Sequence, residues 1–205
     1  MKPITKVLFS LLILILAGAI AQPSLAQEKT FATQGVVELA GSMSWAKFTP
    51  VANGEAGDAT SVLSFGPEIA YFLADGFEVG FNPGMSILPG LSVIIPPSPG
   101  ENTTVAQLFV YPAYNYHLPS STSFLFLEVP IGYTSMSSGG NQASGFSWGV
   151  KAGVKVVATG HMLVTVFGEY MQIALDPQNL PPGYESSGRT GFDYLTFGVA
   201  IGGFF

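Results

Sequence analysis

The sequence predicts an all-β chain: an eight-stranded antiparallel transmembrane β-barrel, built as an up-and-down meander behind a cleavable signal peptide. Three observations predict it. An apolar leader opens the chain, eight segments of alternating polarity follow, and only 10% of the residues are charged, far below the roughly 25% of an ordinary soluble domain. A water-soluble domain with so few charges would expose too much apolar surface. A barrel whose outer face meets lipid removes the conflict, because its outside is apolar and its inside small and polar.

The leader comes first. Lys2 and Lys6 form a positive n-region, residues 7–20 are almost wholly apolar, and Ser24-Leu25-Ala26 puts small residues where a signal peptidase needs them. Cleavage is expected between Ala26 and Gln27. The apolar run falls short of the about 20 residues a spanning helix needs. The expected organisation is a signal peptide over 1–26, a short periplasmic segment over 27–33 and the barrel over 34–205. With no cysteine, neither disulfides nor a lipoprotein-type anchor can form. Loss of the two leader lysines leaves five basic groups against 13 acids, so no basic patch for nucleic acid is expected.

The strands follow in order. In 34–48, Val37, Leu39, Met43 and Trp45 share one face, and Glu38, Ala40, Ser42, Ser44 and Ala46 the other. Segment 61–73 places Glu68 against Tyr71, and 77–88 places Phe77 against Glu78 and Asn82. Asp75-Gly76 between them is a tight-turn pair. Segment 103–117 carries Gln107 and Asn115 on one parity, Tyr114 and Tyr116 on the other; 124–135 opposes Glu128 to Tyr133. In 145–156 the large apolar series Phe146, Trp148, Val150, Ala152, Val154, Val156 alternates with Ser147, Gly149, Lys151, Gly153, Lys155. Segment 162–173 opposes Glu169 to Tyr170, and 190–205 carries Phe197, Val199, Ile201 and Phe205 on one face. Period-two patterning of this kind specifies a strand with two unlike faces. A soluble barrel would crowd its polar face with charges and amides. Here that face is mostly Gly, Ala and Ser, which suits the narrow interior of about eight strands.

Connection lengths orient the barrel. Short links are expected at 75–76, 118–122 and 158–161, longer ones at 49–60, 89–102, 136–144 and 174–189. Transmembrane barrels keep short turns in the periplasm and long loops outside, which puts both termini in the periplasm. The aromatics then sort into two belts at the headgroup levels: Trp45, Tyr133, Phe146, Trp148 and Tyr170 outside, and Tyr71, Phe77, Tyr114, Tyr116 and Phe205 at the periplasmic side. Pro67, Pro83, Pro112 and Pro130 fall inside strands. Proline cannot donate to a ladder, so local gaps or wide bulges are expected there.

Two stretches resemble the OmpA/OmpX-like small outer-membrane barrels. One is Phe65-Gly66-Pro67-Glu68-Ile69-Ala70-Tyr71-Phe72-Leu73-Ala74-Asp75-Gly76-Phe77-Glu78-Val79-Gly80, a descending strand, tight turn and ascending strand. The other is the last strand, with Phe205 terminal and Ile201, Val199 and Phe197 at alternate positions; Gly203 departs from the usual larger residue. The resemblance covers essentially the whole mature chain. It implies a bacterial outer-membrane location, a monomer surrounded by membrane lipid, and recognition of the last strand by the barrel-assembly machinery. With Phe205 terminal, no cell-wall tether of the OmpA kind is expected.

Parity places Glu38, Glu68, Glu78, Glu128, Glu169, Lys151 and Lys155 inside the barrel, with Asn82, Gln107, Asn115 and His117 as polar partners. Ionisable groups at membrane depth must be paired or wetted. Glu128 or Glu68 is expected to pair with Lys151 or Lys155. The expected function is non-catalytic, either structural or surface-interacting through outer loops, with an ionic network filling the lumen. The alternative is a narrow, cation-preferring channel, since five acids face two bases. Catalysis is not expected: His117 and His161 both fall at the periplasmic end, and the serines of 135–144 lack a base. No cofactor or metal motif is present. The apolar stretch Val93-Ile94-Ile95-Pro96-Pro97 in an outer loop is a candidate partner surface.

Overall fold

Each of the eight alternating segments forms a strand, and each strand pairs antiparallel with a neighbour on either side. The computed structural model describes residues 30–52, 54–89, 102–119, 121–138, 141–177 and 189–205. The leader with its Ala26–Gln27 junction and the loop stretch 93–97 lie outside them. The strands are β1 (Val37–Ala52), β2 (Thr60–Ala74), β3 (Phe77–Pro89), β4 (Asn102–His117), β5 in two pieces (Ser123–Glu128 and Ile131–Ser138), β6 (Asn141–Thr159), β7 (Met162–Ala174) and β8 (Gly191–Phe204). Neighbours in sequence are neighbours in the sheet, and β8 pairs back onto β1 from Phe204 opposite Glu38 to Gly191 opposite Val51. That last ladder closes the barrel, so every strand has a ladder on each side over at least part of its length.

Alternation sets the two faces. On β6, Phe146, Trp148 and Val150 are exposed, while Ser147, Lys151 and Lys155 between them are buried. Turns at the end bearing Phe31 and Phe205 are short, as the sequence predicts. Gly76 and Gly160 sit there at φ 75° and 49°, a left-handed conformation that glycine adopts without a Cβ clash.

Two expectations differ from the structure. The link at 136–144 is not a long loop, because β5 runs to Ser138, β6 starts at Asn141, and these two residues pair with each other. A run of Ser, Gly and Asn reads as loop, yet small polar residues also line a barrel interior. The lumen itself is less polar than the strands suggest. Phe48, Phe109, Phe192 and Tyr194 fill it towards the loop end, and Phe72, Phe124, Leu163 and Phe204 towards the terminal end.

The prolines act in pairs. The β2–β3 ladder runs from Ala74 to Ile69, which sits opposite Phe81. Continuing that register by two residues sets Pro67 against Pro83, and pairing stops before it. From there outward Thr60–Gly66 has no partner on β3 among the described residues. Pro130 instead lies in the break between the two pieces of β5, and Pro112 faces it from β4. The register is unchanged across it, and Val129 donates to the Pro112 carbonyl at 3.1 Å.

Candidate functional site

The lumen is organised in three layers, each fixed by the inward parity of its strands. At the terminal end, Phe31 lies ahead of β1, in the stretch the sequence assigns to a separate periplasmic segment. It is 2% exposed, with its ring edge-on to Phe72 at 5.3 Å and to Phe124 at 4.9 Å, and tilted against Phe204 at 5.3 Å. Ala32 adopts φ 65°, and its carbonyl accepts the Gly76 N–H at 2.8 Å. The Asp75 carboxylate takes the Gln34 N–H at 2.9 Å. The turn between β2 and β3 therefore holds the approach to β1 across the mouth, with Phe31 as its stopper.

The middle layer is ionic. Lys155 donates to Glu38 at 2.7 Å and Glu78 at 2.8 Å. Lys151 donates to Glu68 at 2.6 Å and lies 3.5 Å from Glu128. Asn82 adds a bond of 3.0 Å to the same Glu68 oxygen. These charges come from β1, β2, β3, β5 and β6, so the pairs tie strands together across the interior. The ammonium groups also lie over rings: Lys155 is 5.3 Å from Phe126 and 5.6 Å from Phe31, Lys151 4.7 Å from Phe167 and 5.9 Å from Tyr111. Desolvated cations gain from such faces. Burial of this kind is tolerated only where each charge is paired and hydrogen-bonded.

The remaining polar candidates are less well held. Glu169 is in register with Lys151 on the facing strand but makes no ion pair within 4.0 Å among the described residues. Asn115 is buried with both amide atoms unpaired among the described residues, as is the Gln107 amide nitrogen. Buried polar groups of this sort are where ordered water sits. His117 is exposed and donates from Nε2 to the Ser121 carbonyl at 2.8 Å. His161 is also exposed and packs on Phe204 at 5.1 Å.

The outer layer is apolar, built from Phe48, Val105, Phe109, Met171, Phe192 and Tyr194 among others. Arg189 closes it with a 2.7 Å bond to Asp193. Two hydroxyls below, on Thr134 and Ser147, bond each other at 2.7 Å. On the outside, all ten predicted belt aromatics are exposed, from 38% at Phe77 to 61% at Phe205. Tyr133 faces Phe146 directly across the β5–β6 ladder and donates to Ser144 at 2.6 Å. Phe77 faces Tyr114 across β3–β4 at the other end.

Sequence reasoning placed the charges inside by parity and missed Phe31, an isolated aromatic with no alternating context. The Arg189–Asp193 closure left no signal beyond an acidic residue four positions after a basic one.

No family model matches the chain, and no curated protein sequence does. Solved structures do. Neisserial surface protein A is 13% identical with a TM-score of 0.57, covering 83% of this chain and 99% of that one. The outer membrane protein OprG from Pseudomonas aeruginosa is 14% identical with a TM-score of 0.57, covering 84% and 97%. Outer Membrane Protein W of E. coli is 19% identical with a TM-score of 0.56, covering 84% and 99%. Together with the closed strand order, these likenesses show the fold: an all-β, eight-stranded barrel of the small outer-membrane kind.

Proposed function

We propose that this chain is a non-catalytic integral protein of a bacterial outer membrane, with a filled lumen and a role carried by its wall and its loop end. The observation that carries this reading is the middle layer. Each of two lysines sits between two glutamates, with side chains 0–12% exposed, and an apolar layer lies on either side. A water-filled path would need all three layers to move aside. The exposed belts supply the second support, because amphipathic rings at two levels on one outward face suit the two headgroup regions.

In this reading the short turns and both termini lie in the periplasm, the long connections lie outside, and the barrel is a monomer. The last strand, ending at Phe205, is the part offered to the assembly machinery. The leader is removed between Ala26 and Gln27, which an intact mass of the exported protein checks. Purified barrel in planar bilayers is the decisive experiment. Flat current traces at neutral pH support a filled lumen. Discrete cation-selective openings would reject it in favour of the narrow-channel alternative, whose basis is the excess of five acids over two bases inside.

A further inference from the structure

Three features meet on the lipid-facing side of β1 and β2. The first is a groove of about 500 Å³ over Gly41, walled by Met43, Phe65, Pro67, Val199 and Ile201. A Cβ built on Gly41 would meet nothing within 4 Å, so the missing side chain leaves open space. The second is Lys47, on the same strand and the same face, exposed and without an ion-pair partner among the described residues. Lys151, Lys155 and Arg189 all have one. The third is the outer half of β2, paired to β1 on one side, where Thr60–Gly66 have no ladder partner on β3 among the described residues, although the Gly66 carbonyl accepts from the Ser42 hydroxyl at 3.1 Å. Lys47 stands directly opposite Ser61 of that segment.

The spacing joins the three. Six residues from Gly41 to Lys47 rise about 20 Å along the strand. A tilt of about 40° leaves about 15 Å along the membrane normal, half of a hydrocarbon core of about 30 Å. Lys47 therefore reaches one headgroup level when Gly41 lies at the midplane. Main-chain groups left out of a ladder at this depth must find other partners.

We infer that this strip binds one phosphorylated, acylated glycolipid of the leaflet at the loop end. Its phosphate rests on Lys47, one acyl chain descends past Phe65 into the groove over Gly41, and head-group hydroxyls and amides bond the free edge of β2. A strand edge presents both N–H and C=O groups, so its partner must donate as well as accept. Sugar hydroxyls and amide-linked chains do both, whereas ester-linked chains only accept. The site rests on the membrane-barrel reading above.

The test uses the full chain refolded in detergent, with heat-dependent gel mobility reporting the folded barrel independently of lipid. Native mass spectrometry then measures retention of bisphosphorylated lipid A, phosphatidylglycerol and phosphatidylcholine, each added alone. Retention should favour the glycolipid over both phospholipids. K47Q should weaken it about fivefold, the factor one basic side chain supplies beside an anionic lipid surface. G41L, which fills the groove, should weaken it at least as much, and I131L, exposed on β5 across the barrel from the groove, should leave it unchanged. Equal retention by K47Q and G41L, or equal retention of phosphatidylglycerol, overturns the site while the mobility shift keeps the barrel. A chain that never shows the shift refutes the membrane reading and the site with it.

Discussion

Replacing Lys155 with Met tests whether the ionic layer holds the barrel together. The variant keeps a long unbranched side chain and removes only the charge. Lys155 is 5% exposed, Glu38 5% and Glu78 0%, so both carboxylates lose their cation in a place water does not reach. Breaking one buried pair by removing a partner costs about 3–5 kcal/mol. Here two carboxylates are stranded and the attraction of the ammonium to two rings disappears, so a loss of about 5 kcal/mol is expected. Urea titration of the barrel in lipid vesicles measures it, read by the fluorescence of Trp45 and Trp148, the two tryptophans of the chain, both on the lipid face. The triple variant K155M/E38Q/E78Q removes the stranded charges and should recover most of the loss, because ion-pair layers are often replaceable by neutral ones. A K155M barrel within about 1 kcal/mol of the unaltered protein, the range of an ordinary substitution, would refute the argument that the layer is dry and paired.

Four further outcomes follow from the same structure. F31A removes a ring packed against three others and should lower stability by about 3–5 kcal/mol, the range for a buried Phe, in the same urea titration. Gly153 faces Phe126 and the Val166 main chain with no room for a Cβ, so G153V should fail to give the folded gel band. G41A, set in open space, should fold normally. P67V/P83V supplies two missing donors where the β2–β3 ladder stops. Hydrogen exchange by mass spectrometry should then show new protection in 60–66, and unchanged exchange there would reject proline as the cause of the break.

Much of this molecule is legible in its sequence because a barrel wall is a period-two object. Trp45, Trp148 and Phe197 face out and Glu38, Lys151 and Thr196 face in, and parity alone sorts them. Parity is a one-dimensional property, however, and the lumen is not. Which carboxylate meets Lys155 depends on strand tilt and stagger, which bring Glu78 of β3 and Glu38 of β1, two strands apart on one arc of the wall, to the ammonium of β6 across the interior. The prolines are visible as obstacles, but their facing arrangement follows from the β2–β3 register. The serine-rich end of β5 looks like loop because interior-facing and solvent-facing small residues have the same composition. Large inward aromatics such as Phe192 and Tyr194 are obscured by the same rule that finds the strands, since it assigns bulk to the lipid side.

Lys155 and Glu38 are 117 residues apart, on β6 and β1, and these strands take up their native distance only when β8 docks onto β1. The Lys155–Glu38 bond thus ties the first strand to the sixth, and the circuit completed by the last strand is the one that carries this pair. Circularisation and neutralisation of Glu38 are therefore two aspects of one arrangement.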